Sequence, residues 1–171
     1  GVDNDPHLYI IYARNLGYYL GGYFSSIDSY LPEVHEYANG HEVFVMSADN
    51  VWLDDEYTYG ILAHEFQHMI HWYQDRNEST WINEGFASYA EYIASQYLQS
   101  QDNADSWMFE AHEYVKLQKG GSIYVPEAQA SDEERIFDYR LSYKKGAAIL
   151  HMIRHEINND SLFFAVLRDF L

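Results

Sequence analysis

Two histidines and a glutamate stand one helical turn apart in His64-Glu65-Phe66-Gln67-His68. On an α-helix, residues four apart share a face and lie about 6 Å apart along the axis, so both imidazoles can grip one metal ion. Glu65 sits beside them, a carboxylate placed to take a proton. Two neutral His ligands and a carboxylate base are the working parts of a zinc hydrolase. Random placement of the chain's 9 His and 14 Glu over 171 residues gives roughly 0.04 such pentapeptides, so the surroundings must decide.

Catalytic zinc takes three protein ligands and keeps one position open. Glu84, in Trp81-Ile82-Asn83-Glu84-Gly85-Phe86-Ala87, is the best third ligand: the interval after His68 lets one helix end, a loop reverse, and a second helix pack alongside. Glu78 is nearer in sequence, but its loop setting makes it the poorer choice. Glu91 lies two turns beyond Glu84 on the same face. It either fixes a ligand imidazole by accepting its hydrogen bond or faces solvent, and both readings stay open. His71 is expected at the surface, and His35 and His41 have no partner at ligand spacing.

The elements that must position these groups follow from periodicity. His7–Ala13 reads as a largely buried strand, Asn15–Gly40 as loop with a short strand near Tyr23, and His41–Ser47 as another strand. Asp54-Asp55-Glu56 starts a helix over Tyr57–Tyr73 that carries the His pair. Burying that pair and Glu65 on a core-facing helix is costly unless something pairs them, and a metal would. A polar loop, 75–80, leads to a second helix from Trp81 to about Gln99. Gln99–Asp105 is the linker candidate. Ser106–Lys119 is helical, Ser122–Val125 a short strand or extended segment, and Ala128–Asp138 loop with a helical turn. Helices over Ser142–Ile157 and Ser161–Leu171 are split at Asn158-Asn159-Asp160. The fold class is α+β, mostly helical. An N-terminal lobe, 1–100, holds a small sheet and the ligand helices, and a helical lobe, 101–171, completes one catalytic unit.

Composition narrows the function. Hydrophobic residues make up 47% of the chain, which marks a folded globular protein. No apolar run reaches the length of a membrane span, and the first residues form no signal peptide. With 0 Cys, any metal is held by His, Asp, Glu or backbone oxygen. The formal net charge of −17 lies in residues 1–115, whose only cations are Arg14 and Arg76. Nucleic acid, which demands a basic face, is excluded as a partner. Asp3-Asn4-Asp5 offers oxygens to calcium, a secondary expectation beside an ordinary turn.

His64–His68, the Asn-Glu-Gly-Phe-Ala segment around Glu84, and Tyr143-Lys144-Lys145-Gly146-Ala147 occur in that order. Together they resemble the gluzincin zinc metallopeptidases, most closely the branch related to aminopeptidase N. The resemblance implies a zincin-like fold, zinc on His64, His68 and Glu84, Glu65 as base, and Tyr143 as a hydroxyl donor to the oxyanion. The chain departs from that branch in a shorter interval between His68 and Glu84. It also lacks the Gly-x-Met-Glu-Asn segment that anchors a substrate's amino terminus: the matching region, His41–Asn50, reads His-Glu-Val-Phe-Val-Met-Ser-Ala-Asp-Asn. The expected activity is therefore endopeptidase cleavage of protein or peptide substrates by a secreted enzyme, with the strand at Glu42–Ser47 pairing with the substrate. The rivals are an inactive metal-binding module of a larger secreted protein and an aminopeptidase.

Overall fold

The computed structural model describes residues 4–74 and 79–170. Three short strands form one sheet: β1 (Tyr9–Ala13), β2 (Gly22–Phe24) and β3 (Val43–Ser47). Their order is β1-β3-β2, with β1 parallel and β2 antiparallel to the central β3. The apolar Val43-Phe44-Val45-Met46 run is buried at every position, as a central strand requires. β1 is a strand as expected, but it is not buried. Its Tyr9, Ile10, Ile11 and Tyr12 are 37–50% exposed, because β1 is an outer strand and the covering helix packs over β2 instead.

Among the described residues, six α-helices follow: α1 (Glu56–Gln74), α2 (Thr80–Ala94), α3 (Gln101–Lys116), α4 (Glu133–Ile136), α5 (Gly146–Ile157) and α6 (Asp160–Phe170). Two π-helical stretches, Ser95–Gln99 after α2 and Tyr139–Lys145 before α5, widen the chain's path at those points. The Gln99–Asp105 stretch expected as a linker instead holds the last residue of the first π-helix, the cap Ser100 and the start of α3. Its Ser100 Oγ accepts the Asn103 amide at 3.1 Å, so the polar composition is that of a helix cap rather than a loop. Ser122–Val125 forms no strand: it bends at Ile123, and the Tyr124 amide donates to Ser122 Oγ at 3.0 Å. Arg135 Nη2 holds it by donating to the carbonyls of Ser122 at 2.6 Å and Tyr124 at 3.0 Å. Asn158, at φ 46, ends α5 in the left-handed conformation, and Asn159 Oδ1 accepts the Leu162 amide to begin α6.

Among the described residues, α1 and α2 each join an apolar cluster. Met46 and Val51 pack with Ile61 of α1. Phe86, Tyr89 and Tyr92 of α2 join Ala104 and Met108 of α3, Ala147 and Leu150 of α5, and Phe163 of α6 in the larger core. Arg154 of α5 ties α6 to the π-helix after α2: its Nε and Nη2 grip both oxygens of Asp160 at 2.8 and 2.6 Å, and its Nη1 donates to Gln96. At the sheet, a Cβ on Gly21 would meet Ile61 Cδ1 at 2.6 Å, and one on Gly22 would meet the Val45 carbonyl at 2.9 Å. These two glycines let α1 settle directly on the β2 backbone, which brings Glu65, one turn past Ile61, to the sheet edge.

Candidate metal and active site

α1 and α2 lie side by side and turn their polar faces toward a shared cleft of about 900 Å³. His64 and His68 leave α1 on one face, with ring centroids 4.7 Å apart. Glu84, near the start of α2, aims its carboxylate between them. Its Oε2 is 3.4 Å from His64 Nε2 and 3.3 Å from His68 Nε2. Among the described residues this trio is the one group of His, Asp or Glu side chains that could hold a metal, its ligand atoms all within 4.8 Å of one another. Glu78, the alternative third ligand, lies outside the described residues.

The donor set suits zinc on the structure's own terms. Glu84 Oε2 is buried and makes no well-formed hydrogen bond within the protein, an arrangement that costs free energy unless a cation completes it. Both imidazoles are held by their other nitrogen. His64 Nδ1 donates to Glu91 Oε1 at 2.7 Å, and His68 Nδ1 donates to Asn83 Oδ1 at 2.8 Å. Since a carboxylate and an amide oxygen can only accept, each Nδ1 carries a proton, and each Nε2, which faces Glu84, is the nitrogen that could turn a lone pair to a metal. Glu91 therefore touches the His64 imidazole and does not face solvent.

Electrostatics agree with that geometry. Burial works against a charge on His64, yet the Glu84 and Glu91 carboxylates beside it carry its pKa from 6.5 up to about 10. Burial likewise opposes ionisation of Glu84, and the two imidazoles outweigh it, bringing its pKa down to about 2. The pocket attracts positive charge to the point between the three side chains. Two flanking residues to which the sequence assigned no role hold Glu91. Trp107 Nε1 donates to its Oε2 at 3.1 Å, and the ammonium of buried Lys144 lies 3.7 Å from the same oxygen and 4.0 Å from the Trp107 ring centroid. Trp107 comes from α3 and Lys144 from the second π-helix, so no local spacing could announce them. Asn83 had a local signal, since it directly precedes Glu84.

His71 departs from expectation. It is 3% exposed, packs edge-on against Phe86 with centroids 5.3 Å apart, and donates from Nδ1 to Asn83 Oδ1 at 3.0 Å. α2 covers that turn of α1, so the third histidine of the helix supports Asn83 rather than meeting solvent. Glu65 is buried on the cleft side, where the Phe24 amide of β2 meets its carboxylate; burial raises its pKa above the ordinary value. Tyr143 stacks on His64 at 6.1 Å between centroids, and its hydroxyl bonds to Glu84. Burial and the Glu84 charge push its pKa upward, which keeps the phenol protonated as a donor.

The cleft's edge strand is β2, whose Gly22, Tyr23 and Phe24 line it. β3 was expected to form that edge, but it is the central strand and its Val43–Ser47 do not reach the cleft. The calcium reading also finds no support. Asp5 spends its carboxylate on His7 and on the Tyr9 hydroxyl, as a turn before a strand does, while Asp3 lies outside the described residues. Among the described residues, no helix is long and apolar enough to cross a membrane.

Comparison with known proteins converges on the same segment. The chain is 32% identical to the thyrotropin-releasing hormone-degrading ectoenzyme of Homo sapiens over 122 residues, covering 65% of this chain and 11% of that protein. It is 29% identical to aminopeptidase N of Homo sapiens over 115 residues, 58% of this chain and 11% of that protein. With endoplasmic reticulum aminopeptidase 2 of Bos taurus it shares 28% over 126 residues, 67% of this chain and 12% of that protein. The chain thus spans about a ninth of the length of these relatives. No solved structure matches it. Residues 38–171, which hold His64, His68, Glu84 and Tyr143, match the peptidase family M1 domain, and the chain belongs to that zinc-dependent metallopeptidase family.

Proposed function

We propose that the chain hydrolyses peptide bonds as a zinc metallopeptidase and cuts within its substrates. His64, His68 and Glu84 hold the zinc, which when bound supplies Lewis acidity to the scissile carbonyl and to water. Glu65 takes the proton of the attacking water and delivers it to the leaving amine. Tyr143 donates from its hydroxyl to the carbonyl oxygen as negative charge develops there. Apart from the Phe24 amide, which meets Glu65, the outer edge of β2 offers backbone groups to an extended substrate. Residues 1–100 supply the ligands and base and residues 101–171 supply Tyr143, which supports reading the two as one catalytic unit. Intact Glu65 and Tyr143 weigh against an inactive binding module, because a structural zinc needs neither. The proposed setting remains extracellular.

The observation that carries internal cleavage is the makeup of the edge strand. Gly22-Tyr23-Phe24 bears no carboxylate to bind a substrate's amino terminus. Of the cleft's carboxylates, Glu65, Glu84 and Glu91 serve the centre, leaving exposed Glu110 of α3. The names of the relatives favour the second reading, an aminopeptidase. Matched peptides with free and acetylated amino termini separate the two. Equal rates of internal cleavage support the endopeptidase, whereas loss of all cleavage on acetylation establishes the aminopeptidase.

Two substitutions probe the supporting groups. Glu91→Gln keeps the side chain's shape but weakens its hold on His64, and zinc affinity measured by chelator competition is expected to fall about 10–100-fold. Tyr143→Phe is expected to lower kcat on the order of 10²–10³-fold, with KM nearly unchanged, in steady-state assays on a quenched fluorescent peptide.

A further inference from the structure

Glu84 and Tyr143 stand on different elements, and a backbone contact close to both sets their separation. Gly85 follows Glu84 on α2. Gly146 opens α5, immediately after the π-helix that carries Tyr143. A Cβ on Gly146 would lie 2.8 Å from Gly85 Cα and 3.1 Å from the Trp81 carbonyl oxygen. One on Gly85 would lie 3.0 Å from Gly146 Cα and 3.2 Å from its carbonyl carbon. These are backbone atoms, which cannot swing aside as a side chain can. Both glycines are buried, and their lack of Cβ lets the two helices meet backbone to backbone.

The π-helix is pinned around the same point. The Gly146 amide donates to the carbonyls of Leu141 and Tyr143. Ser142 Oγ donates to the Ile136 carbonyl at 2.7 Å, and Lys144 reaches across to Glu91. Little play remains between the strip bearing Tyr143 and the helix bearing Glu84. We infer that Gly146, through its contact with Gly85, is a positioning residue that fixes the reach of the Tyr143 hydroxyl toward Glu84 and the reacting oxygen. The inference rests on the reading of Tyr143 as an oxyanion donor. A methyl group at this contact separates the helices and withdraws that hydroxyl, and a misplacement of about 1 Å can cost on the order of 10²-fold in rate.

The test compares the zinc-loaded chain with Gly146→Ala, Tyr143→Phe and the double variant. Gly146→Ala should lower kcat on the order of 10²-fold with little change in KM. Its zinc affinity should match the unaltered chain, because the three ligands lie on α1 and α2. In the Tyr143→Phe background the same alanine should cost no further rate. An equal loss in both backgrounds would overturn the inference, as the contact would then serve the fold and not the hydroxyl. If Gly146→Ala does not fold by circular dichroism, Gly85→Ala, whose closest approach is milder, takes its place; failure of both to fold would also overturn it. If the unaltered chain cleaves no peptide, the proposed function falls and a crystal structure of the glycine variant decides the inference alone. Tyr143 drawn away from Glu84, with His64, His68 and Glu84 unmoved, supports it, and an unmoved Tyr143 refutes it.

Discussion

Glu65→Gln is expected to lower kcat for peptide hydrolysis by about 10²–10⁴-fold while leaving the fold and bound zinc in place. The change is close to isosteric and the site is buried, so packing against the β2 edge is preserved. What is lost is a carboxylate beside the His pair that neither belongs to the three grouped side chains nor, like Glu91, accepts a hydrogen bond from an imidazole. An amide cannot take the water's proton. Rates from a fluorogenic peptide, paired with zinc content by atomic absorption, separate this loss from loss of the metal. A Gln variant keeping more than a tenth of the rate would place the base elsewhere.

Glu84→Ala should be as damaging by a different route. Removing that carboxylate leaves His64 and His68 as the remaining proposed ligands and strips the negative charge beside their Nε2 atoms. Zinc affinity is expected to fall more than about 100-fold, beyond the range for groups that merely orient ligands. Hydrolysis should vanish with it at any zinc concentration that leaves Glu91→Gln active. The measurement is chelator competition alongside rate. An Ala variant binding zinc as tightly as the Glu91→Gln chain would remove Glu84 from the ligand set.

The site's chemistry was legible where it is local. The interval of four between His64 and His68 fixes a shared helix face whatever surrounds it, and the interval to Glu84 allows just one helix reversal. Glu91 was legible in part: helical spacing put it on the right face, but whether that face met His64 or solvent depended on how α2 packs. Trp107 and Lys144 were beyond reach, because their approach to Glu91 is made by α3 and the π-helix, far along the chain. His71 was misplaced for the same reason, since burial of one turn of α1 is decided by α2. In the sheet, composition failed instead of distance. The Tyr9-Ile10-Ile11-Tyr12 run has the character of a buried strand, yet strand order gives the central position to β3. Order also made the plain Gly22-Tyr23-Phe24 segment the edge of the cleft, a role nothing in its three residues announces.

The central claim is peptide-bond cleavage at the His64, His68 and Glu84 centre with Glu65 as base. It is tested most directly by incubating the zinc-loaded chain with a proteome-derived peptide pool and reading new termini by mass spectrometry, with Glu65→Gln as control. New internal termini should appear with the unaltered chain and be lost with Glu65→Gln. Cleavage at equal rate by both would contradict the assigned base, and the absence of any new terminus would contradict the peptidase itself.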